Sequence, residues 1–356
     1  MFNTRLHRAR KAAGFSLRVL AQKVGLSHAA IKKYEDGITL PSSDILMRLS
    51  RALNVRTEYF FRPDTVPLQD IEYRKGSSLP KKRLDAITNE IIDQVERRIE
   101  LENLFPQSPL RTFKMVEKLP KSITNLEEIE NAAECVRNEW KLGLDPIPDL
   151  IDLLETNGVR VFMIDADSEN KFDGLAARVN GQPIAVVCRH WSGDRQRFTL
   201  AHELGHLMLE SRLTPELNEE TACNRFAGAF LFPRTSVLQE IGAHRKAIEL
   251  KELSLLKEEF GLSMSSILYR ALHLSIISSS YHLGQMKFFR MKRWHLKEPG
   301  KSYPSEKAHI FEQLLFHALA ENYIGESKAA ELLNIPLQQF RRIRTMEGDA
   351  DVAINQ

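Results

Sequence analysis

The residues with the clearest chemical potential are His202-Glu203-Leu204-Gly205-His206, inside RQRFTLAHELGHLML. On a helix, positions i and i+4 share a face, so both imidazoles can reach one divalent ion at about 2.0–2.1 Å. Glu203 lies one step round, close enough to take a proton from a water held by that ion. The metal would lower the pKa of that water towards about 7, giving a nucleophile at neutral pH. Phe198, Leu200, Leu204, Leu207 and Leu209 surround the motif and imply burial. A buried His pair with Glu between them needs a compensating role. A third ligand is expected downstream in NEETACNRFAGAFLFP, an apolar helix with two carboxylates at its start. Glu220, four residues before Asn224, can share that residue's face. Glu219 lies about 100° away and stays in reserve, because helix ends are uncertain by a residue or two. Two His and one Glu leave a fourth position open, as a catalytic Zn²⁺ site requires. Mn²⁺ or Fe²⁺ could occupy the same ligands.

A second chemistry is carried by charge. The first 66 residues hold 12 Lys/Arg against 5 Asp/Glu, a net +7, which leaves −4 for the rest of a chain of net charge +3. A basic head on a mildly acidic body points to a polyanion partner for the head. Leu6, Ala9, Ala13 and Leu17 recur at helical spacing. Ser16 then caps a helix to about Val24, Gly25 breaks it, and Ser27 caps HAAIKKYE. A Gly turn between two short amphipathic helices is a helix-turn-helix arrangement. Ile45, Leu46, Leu49 and Leu53 form the next apolar stripe.

Further elements must position the His pair. Pro, Gly and Ser between Pro63 and Pro80 suggest a linker. Leu84, Ile87, Ile91, Val95 and Ile99 give a helix to Leu104, readable as a dimerisation element or as core. A helix runs from about Leu126 to Lys141. DLIDLLETNGVRVFMID reads as helix, Gly turn and strand. GLAARV-NG-QPIAVVCR reads as a hairpin, since Asn180-Gly181 suits a type I′ turn. Arg195 to about Leu274 reads as helical. KFFRMKRWHLK interleaves basic and aromatic residues, which could grip phosphate and stack a base; an exposed strand or loop is the plainer reading. The tail, IFEQLLFHALAENYIGESKAAELLNIPLQQFRRI, is helical. No internal repeat stands out.

Two resemblances sharpen these readings. FDGLAARVNGQPIAVVCRHWSGDRQRFTLAHELGHLML through EETACNRFAGAFLFP resembles the ImmA/IrrE family of metallopeptidases, over roughly Asp149 to Leu274 including LKEEFGLSMSSILYRALHL. The resemblance implies His202, His206 and Glu220 as ligands and Glu203 as base, an arrangement similar to that of thermolysin. Cys223 stands where Ala is commoner and is expected to be a small residue, not a ligand. In such zincins a strand beside the site helix receives the substrate backbone, which points to Ile184, Ala185, Val186 and Val187. His190, Arg195, His244 and Tyr269 are all candidates for polarising the oxyanion.

The segment from RLHRARKAAGF to NVRTEYFF resembles the Cro/repressor-type (XRE) helix-turn-helix domain. Its marks are SLRVLAQKVGLS, then YEDG, then LSRALNV. The resemblance implies that the helix from Ser27 to Glu35 enters the major groove. Ser27, His28, Ala29, Lys32 and Lys33 would then face DNA, Arg18 and Gln22 would touch phosphate or base, and Ile31 and Tyr34 would face the core. One such domain reads a half-site, so an operator implies a homodimer or tandem domains.

Composition sets the limits. Three cysteines with no C-x-x-C pair exclude a disulfide framework and fit a reducing cytosol. No run of about 18 apolar residues occurs and the N-terminus has no signal-peptide pattern, so a cytoplasmic protein without a membrane span is expected. The expected fold is mainly α with a small β-sheet: a helix-turn-helix domain (1–66), a linker and connecting helix (67–120), an α+β zincin-like domain (121–275) and a helical C-terminal region (276–356). The expected function is a regulator binding double-stranded operator DNA, with a zinc endopeptidase domain cutting a repressor, a toxin- or antitoxin-like partner, or its own chain. The alternative is a non-proteolytic, antitoxin-like repressor whose metal is structural or sensory.

Overall fold

Serine caps define the first helices of the computed structural model, which describes residues 2–62, 81–107, 111–165 and 172–347. Helix α1 spans Phe2–Ala12, α2 Leu17–Val24, α3 His28–Glu35 and α4 Ser43–Leu53, followed by a 3₁₀ turn at Thr57–Phe61. Ser16 Oγ accepts from Val19 N–H and Ser27 Oγ from Ala30 N–H, both at 3.2 Å, satisfying amides that a helix start leaves open. Gly25, at φ 67°, closes α2 in the left-handed conformation that a side chain would oppose. Leu6, Leu20, Ile31, Leu49 and Phe60 are completely buried and form the centre of this bundle. The linker expected between Pro63 and Pro80 lies outside the described residues.

Helix α5 (Lys81–Glu102) lays Ile87, Ile91 and Val95 into the interior, against α1. Its buried Glu96 meets both Arg5 and Arg8, so two interior guanidinium groups share one carboxylate. Buried charges persist only when paired in this way. The apolar stripe of α5 is therefore covered by its own chain, and the reading of this helix as a dimerisation element gives way to that of a core helix.

The second unit opens with α6 (Leu126–Glu139), capped by Asn125, and α7 (Leu150–Thr156), capped by Asp149. Strands β1 (Arg160–Ile164), β2 (Gly174–Val179) and β3 (Gln182–Cys188) form a sheet in the order β1-β3-β2. β1 runs parallel to β3 and β2 antiparallel, with Ala176 opposite Ala185. Asn180 and Gly181 have φ of 50° and 76°, the two positive values that a type I′ turn demands. Helices α8 (Gly193–Leu209), α9 (Glu219–Leu231), α10 (Arg234–Glu240), α11 (Leu250–Phe260), α12 (Met264–His273) and α13 (Ser279–Met291) complete the unit. α8 lies on β2 and β3 and pairs most extensively with α9, which α6 and α12 flank. Buried Glu130 on α6 binds Arg270 of α12 at 2.6 and 3.0 Å and Arg225 of α9 at 2.5 Å. Burial alone would raise the Glu130 carboxyl, but the two guanidinium groups hold it below its ordinary value.

KFFRMKRWHLK proves to be the end of α13, not a strand, followed by a turn that is exposed apart from Trp294. Phe289 is buried, and Phe288 and Phe289 pack on Trp294 with ring centroids 5.3 and 5.2 Å apart. These rings belong to the core and are not free to stack a base. The last three helices, α14 (Ile310–Ala320), α15 (Glu326–Leu332) and α16 (Leu337–Arg344), return to the N-terminal helices. Leu314, Leu315, Ala318, Ala329, Ala330, Leu332 and Phe340 bury together with Leu101 of α5. The described residues thus form two compact units, one of 2–62, 81–107 and 309–347, the other of 111–165 and 172–308. No helix among the described residues is long and apolar enough to cross a membrane.

Candidate metal centre and nucleic-acid interface

Helices α8 and α9 can meet closely because α8 carries Gly205 between its two histidines. A Cβ there would come within 3.2 Å of the Phe226 ring and 3.3 Å of Cys223 Cα. At this crossing three ligand atoms converge. His202 Nε2 and His206 Nε2 are 3.1 Å apart, and Glu220 reaches them at 3.4 and 3.6 Å. Atoms held tetrahedrally at 2.0–2.1 Å from one ion lie about 3.3–3.4 Å from each other, so the spacing fits.

The other ring nitrogens explain why these three atoms face one another. His202 Nδ1–H donates to Asn224 Oδ1 at 3.0 Å and His206 Nδ1–H to Glu219 Oε1 at 2.8 Å. With both Nδ1 atoms protonated, each neutral ring aims an Nε2 lone pair at the other and at a carboxylate oxygen. Burial, then the neighbouring His206, hold His202 below its ordinary pKa, which keeps that ring neutral. Three acceptors facing one another with no donor between them suit a cation, and the nitrogen and oxygen donor set suits zinc.

Glu219 and Asn224 were not foreseen in these positions. Glu219, held in reserve as a ligand, sits behind His206 and fixes its tautomer, the part that outer carboxylates play at metal-bound histidines. Their signal was present: a carboxylate just before the ligand and an amide four residues after it, on one helix. Cys223 is buried and forms a second cluster with His206 and Glu219, their ligand atoms within 4.8 Å of one another. Glu203 is buried beside the His pair. Gly174, the first residue of β2, lies so near that a Cβ there would stand 3.6 Å from Glu203 Oε1 and 2.6 Å from the Val186 carbonyl.

The strand expectation needs correction. Ile184, Ala185, Val186 and Val187 lie in β3, the central strand, hydrogen-bonded to β1 on one edge and β2 on the other. No substrate backbone can add to a strand whose two edges are used. Among the described residues the sheet's edge nearest Glu203 is that of β2. The oxyanion candidates are dispersed: His190 faces Asp165, and Arg195 pairs with Asp173 and stacks 3.5 Å over Trp191. Tyr269 packs on His282 and His273, and His244 is exposed after α10. None of these contacts reaches His202, His206 or Glu220.

In the other unit, Arg18, Gln22, Ser27, His28, Ala29, Lys32 and Lys33 are all exposed, while Ile31 and Tyr34 are buried. Lys32 forms an exposed i,i+4 pair with Asp36. Glu35 at the end of α3 accepts from Arg10 Nε at 2.5 Å and Nη2 at 2.7 Å, tying α3 to α1. Burial would raise the Glu35 carboxyl, but the bonds from Arg10 and His7 override it and hold it at about 2.

Comparison with known proteins finds a family match in each unit. Residues 6–60 match the helix-turn-helix family, and residues 154–272 match the peptidase M78 family, described as the IrrE N-terminal-like domain. The chain therefore joins an XRE-type helix-turn-helix domain to an IrrE/ImmA-like domain. It is similar to the HTH-type transcriptional regulator ImmR of Bacillus subtilis (strain 168), at 27% identity over 90 residues. That stretch is 25% of this chain and 67% of the relative.

Proposed function

We propose that this protein is a DNA-binding transcriptional regulator whose IrrE-like domain is a zinc-dependent endopeptidase acting on a regulatory protein. The observation that carries the catalytic half is the convergence of His202 Nε2, His206 Nε2 and Glu220 at 3.1–3.6 Å, with a buried Glu203 beside them. A metal held only for structure has no use for a general base at its side.

His202, His206 and Glu220 would hold the zinc, and Glu219 and Asn224 would keep both rings turned towards it. Zinc would supply Lewis acidity, polarising a peptide carbonyl and making a water acidic near neutral pH. Glu203 accepts the proton of the attacking water and passes it to the leaving amine, the general-base and general-acid role. Among the described residues the outer edge of β2 carries no strand and begins beside Glu203 at Gly174, so a peptide added there in extended form would bring its backbone past the base. For the nucleic-acid half, the exposed α3 face and the +7 charge of the first 66 residues support binding of double-stranded operator DNA. The transcriptional-regulator name of the Bacillus relative agrees with this reading.

The test combines elemental analysis of the purified chain with cleavage assays on proteins encoded beside its gene. One zinc per chain, absent in His202→Ala, and a cleavage product lost in the same variant are expected. A chain that holds no divalent metal, or that cleaves equally well as His202→Ala, would overturn the peptidase reading.

A further inference from the structure

The end of the chain repeats the geometry of α2–turn–α3. α2 closes on Gly25 at φ 67°, with Leu26 N–H donating to Ala21 O at 2.9 Å and Gly25 N–H to Gln22 O at 3.4 Å. α15 closes on Asn334 at φ 56°, with Ile335 N–H donating to Ala330 O and Asn334 N–H to Glu331 O, both at 3.0 Å. Both turns thus share the six-to-one bond of a Schellman closure, one built on Gly and one on Asn, the two residues that best tolerate the left-handed conformation. After each turn comes a helix of eight residues, His28–Glu35 and Leu337–Arg344.

The helices also match position by position when Gly25 is set on Asn334. Leu20 and Ala21 fall on Ala329 and Ala330, and Leu26 falls on Ile335. Ile31 falls on Phe340, and Lys32-Lys33 falls on Arg341-Arg342. Leu20, Ala21, Ile31, Ala329, Ala330 and Phe340 are all buried, and Lys32, Lys33, Arg341 and Arg342 are all exposed. Phe340 stacks on Phe316 of α14 at 5.9 Å, so α16 touches α14 through its buried ring. The sequence shows no repeat here because almost every matching position differs in residue type.

We infer that α14–α16 is a second helix-turn-helix module and that α16 reads double-stranded DNA. This rests on the DNA-binding reading of the N-terminal domain. The outward face of α16 carries Gln338, Gln339, Arg341, Arg342 and Arg344. Gln and Arg are the side chains that bond bidentately to adenine and guanine edges in the major groove. Half-buried Glu326 pairs with exposed Arg341 and Arg344, and pairs at a water-exposed surface are weak enough to yield to phosphate. The module is fixed to the rest of its unit at the turn itself. Arg62 binds Glu331 through Nε at 2.8 Å and the Glu331 carbonyl at 3.1 Å, Arg97 binds the Leu332 carbonyl at 2.8 Å, and Arg56 binds the Ile335 carbonyl at 3.2 Å. One chain then carries both halves of a two-part operator.

The experiment selects sites from a random-sequence DNA duplex pool with the full chain, then compares two variants on the enriched duplex. Gln338→Ala/Arg342→Ala alters only exposed positions, and circular dichroism checks that its helix content is kept. The enriched site is expected to hold two separated elements. Lys32→Ala/Lys33→Ala should abolish protection of one, and Gln338→Ala/Arg342→Ala should abolish protection of the other, with a Kd at least tenfold higher. If the second variant keeps the full footprint and Kd while the first loses binding, α16 is not a DNA-reading helix and the N-terminal reading stands. If the full chain enriches no sequence, both readings fall together.

Discussion

Two adjacent carboxylates, Glu219 and Glu220, address the His206 imidazole from opposite ring nitrogens. Glu220 lies with the Nε2 atoms, and Glu219 accepts from His206 Nδ1 at 2.8 Å. Their substitution should therefore separate. Glu220→Ala removes a ligand and should leave the chain without stably bound zinc after dialysis. Glu219→Gln keeps an acceptor oxygen but loses the charge behind His206, and should weaken zinc by about 10–100-fold without abolishing it. Competition with a chromogenic chelator measures both. Equal losses in the two variants would contradict the division of roles. The sequence placed Glu220 and Asn224 together through helical spacing alone. It could not divide the two glutamates, because their roles depend on how α9 crosses α8.

At the scale of elements, the α8/α9 crossing is set by a missing side chain. Gly205→Ala would press a methyl group on Phe226 and Cys223 inside a closed core, at an expected cost of about 1–3 kcal/mol. Trp140, Trp191 and Trp294, all the tryptophans of the chain, lie in this unit, so thermal melting followed by tryptophan fluorescence reports on it selectively. An unchanged melting temperature would mean that the helices can separate without loss. In the other unit, the bond from Arg10 to Glu35 holds α3 on α1. The folded pKa of Glu35 is lowered to about 2, so this stabilisation is complete above about 4.5 and is lost as pH falls towards 2. Glu35→Gln should remove on the order of 2–3 kcal/mol at neutral pH and flatten that acid dependence, as denaturant titrations at several pH values would read. Local pattern made α1–α4, the β2–β3 hairpin and α8 legible, because caps, turn residues and periodicity act within a few positions. It misjudged the end of α13, where paired Phe288-Phe289 masks a helical period that Ser278 capping supports. The central place of β3 was out of reach, since β1 arrives by a parallel crossover that no local signal specifies.

At the scale of the whole molecule, two chemistries occupy two units whose chain segments interleave. The first unit gathers both ends of the sequence through Arg56, Arg62 and Arg97, a closure invisible to any window of neighbouring residues. The second unit holds His202, Glu203, His206 and Glu220, so Glu203→Gln should separate the functions. Gln is nearly isosteric with Glu but cannot accept a proton from the attacking water, and hydrolysis should fall by about 10²–10⁴-fold. The three ligands are untouched, so zinc content should be unchanged. The α3 face lies in the other unit, more than 160 residues upstream, so operator affinity should also be unchanged. In cells, a reporter behind the operator should be repressed as in the parent strain and should stay repressed when the inducing signal arrives. Were the Glu203→Gln strain to retain metal, bind DNA and still derepress like the parent, proteolysis could not be the switch, and the metal would have to act by sensing or by supporting the fold.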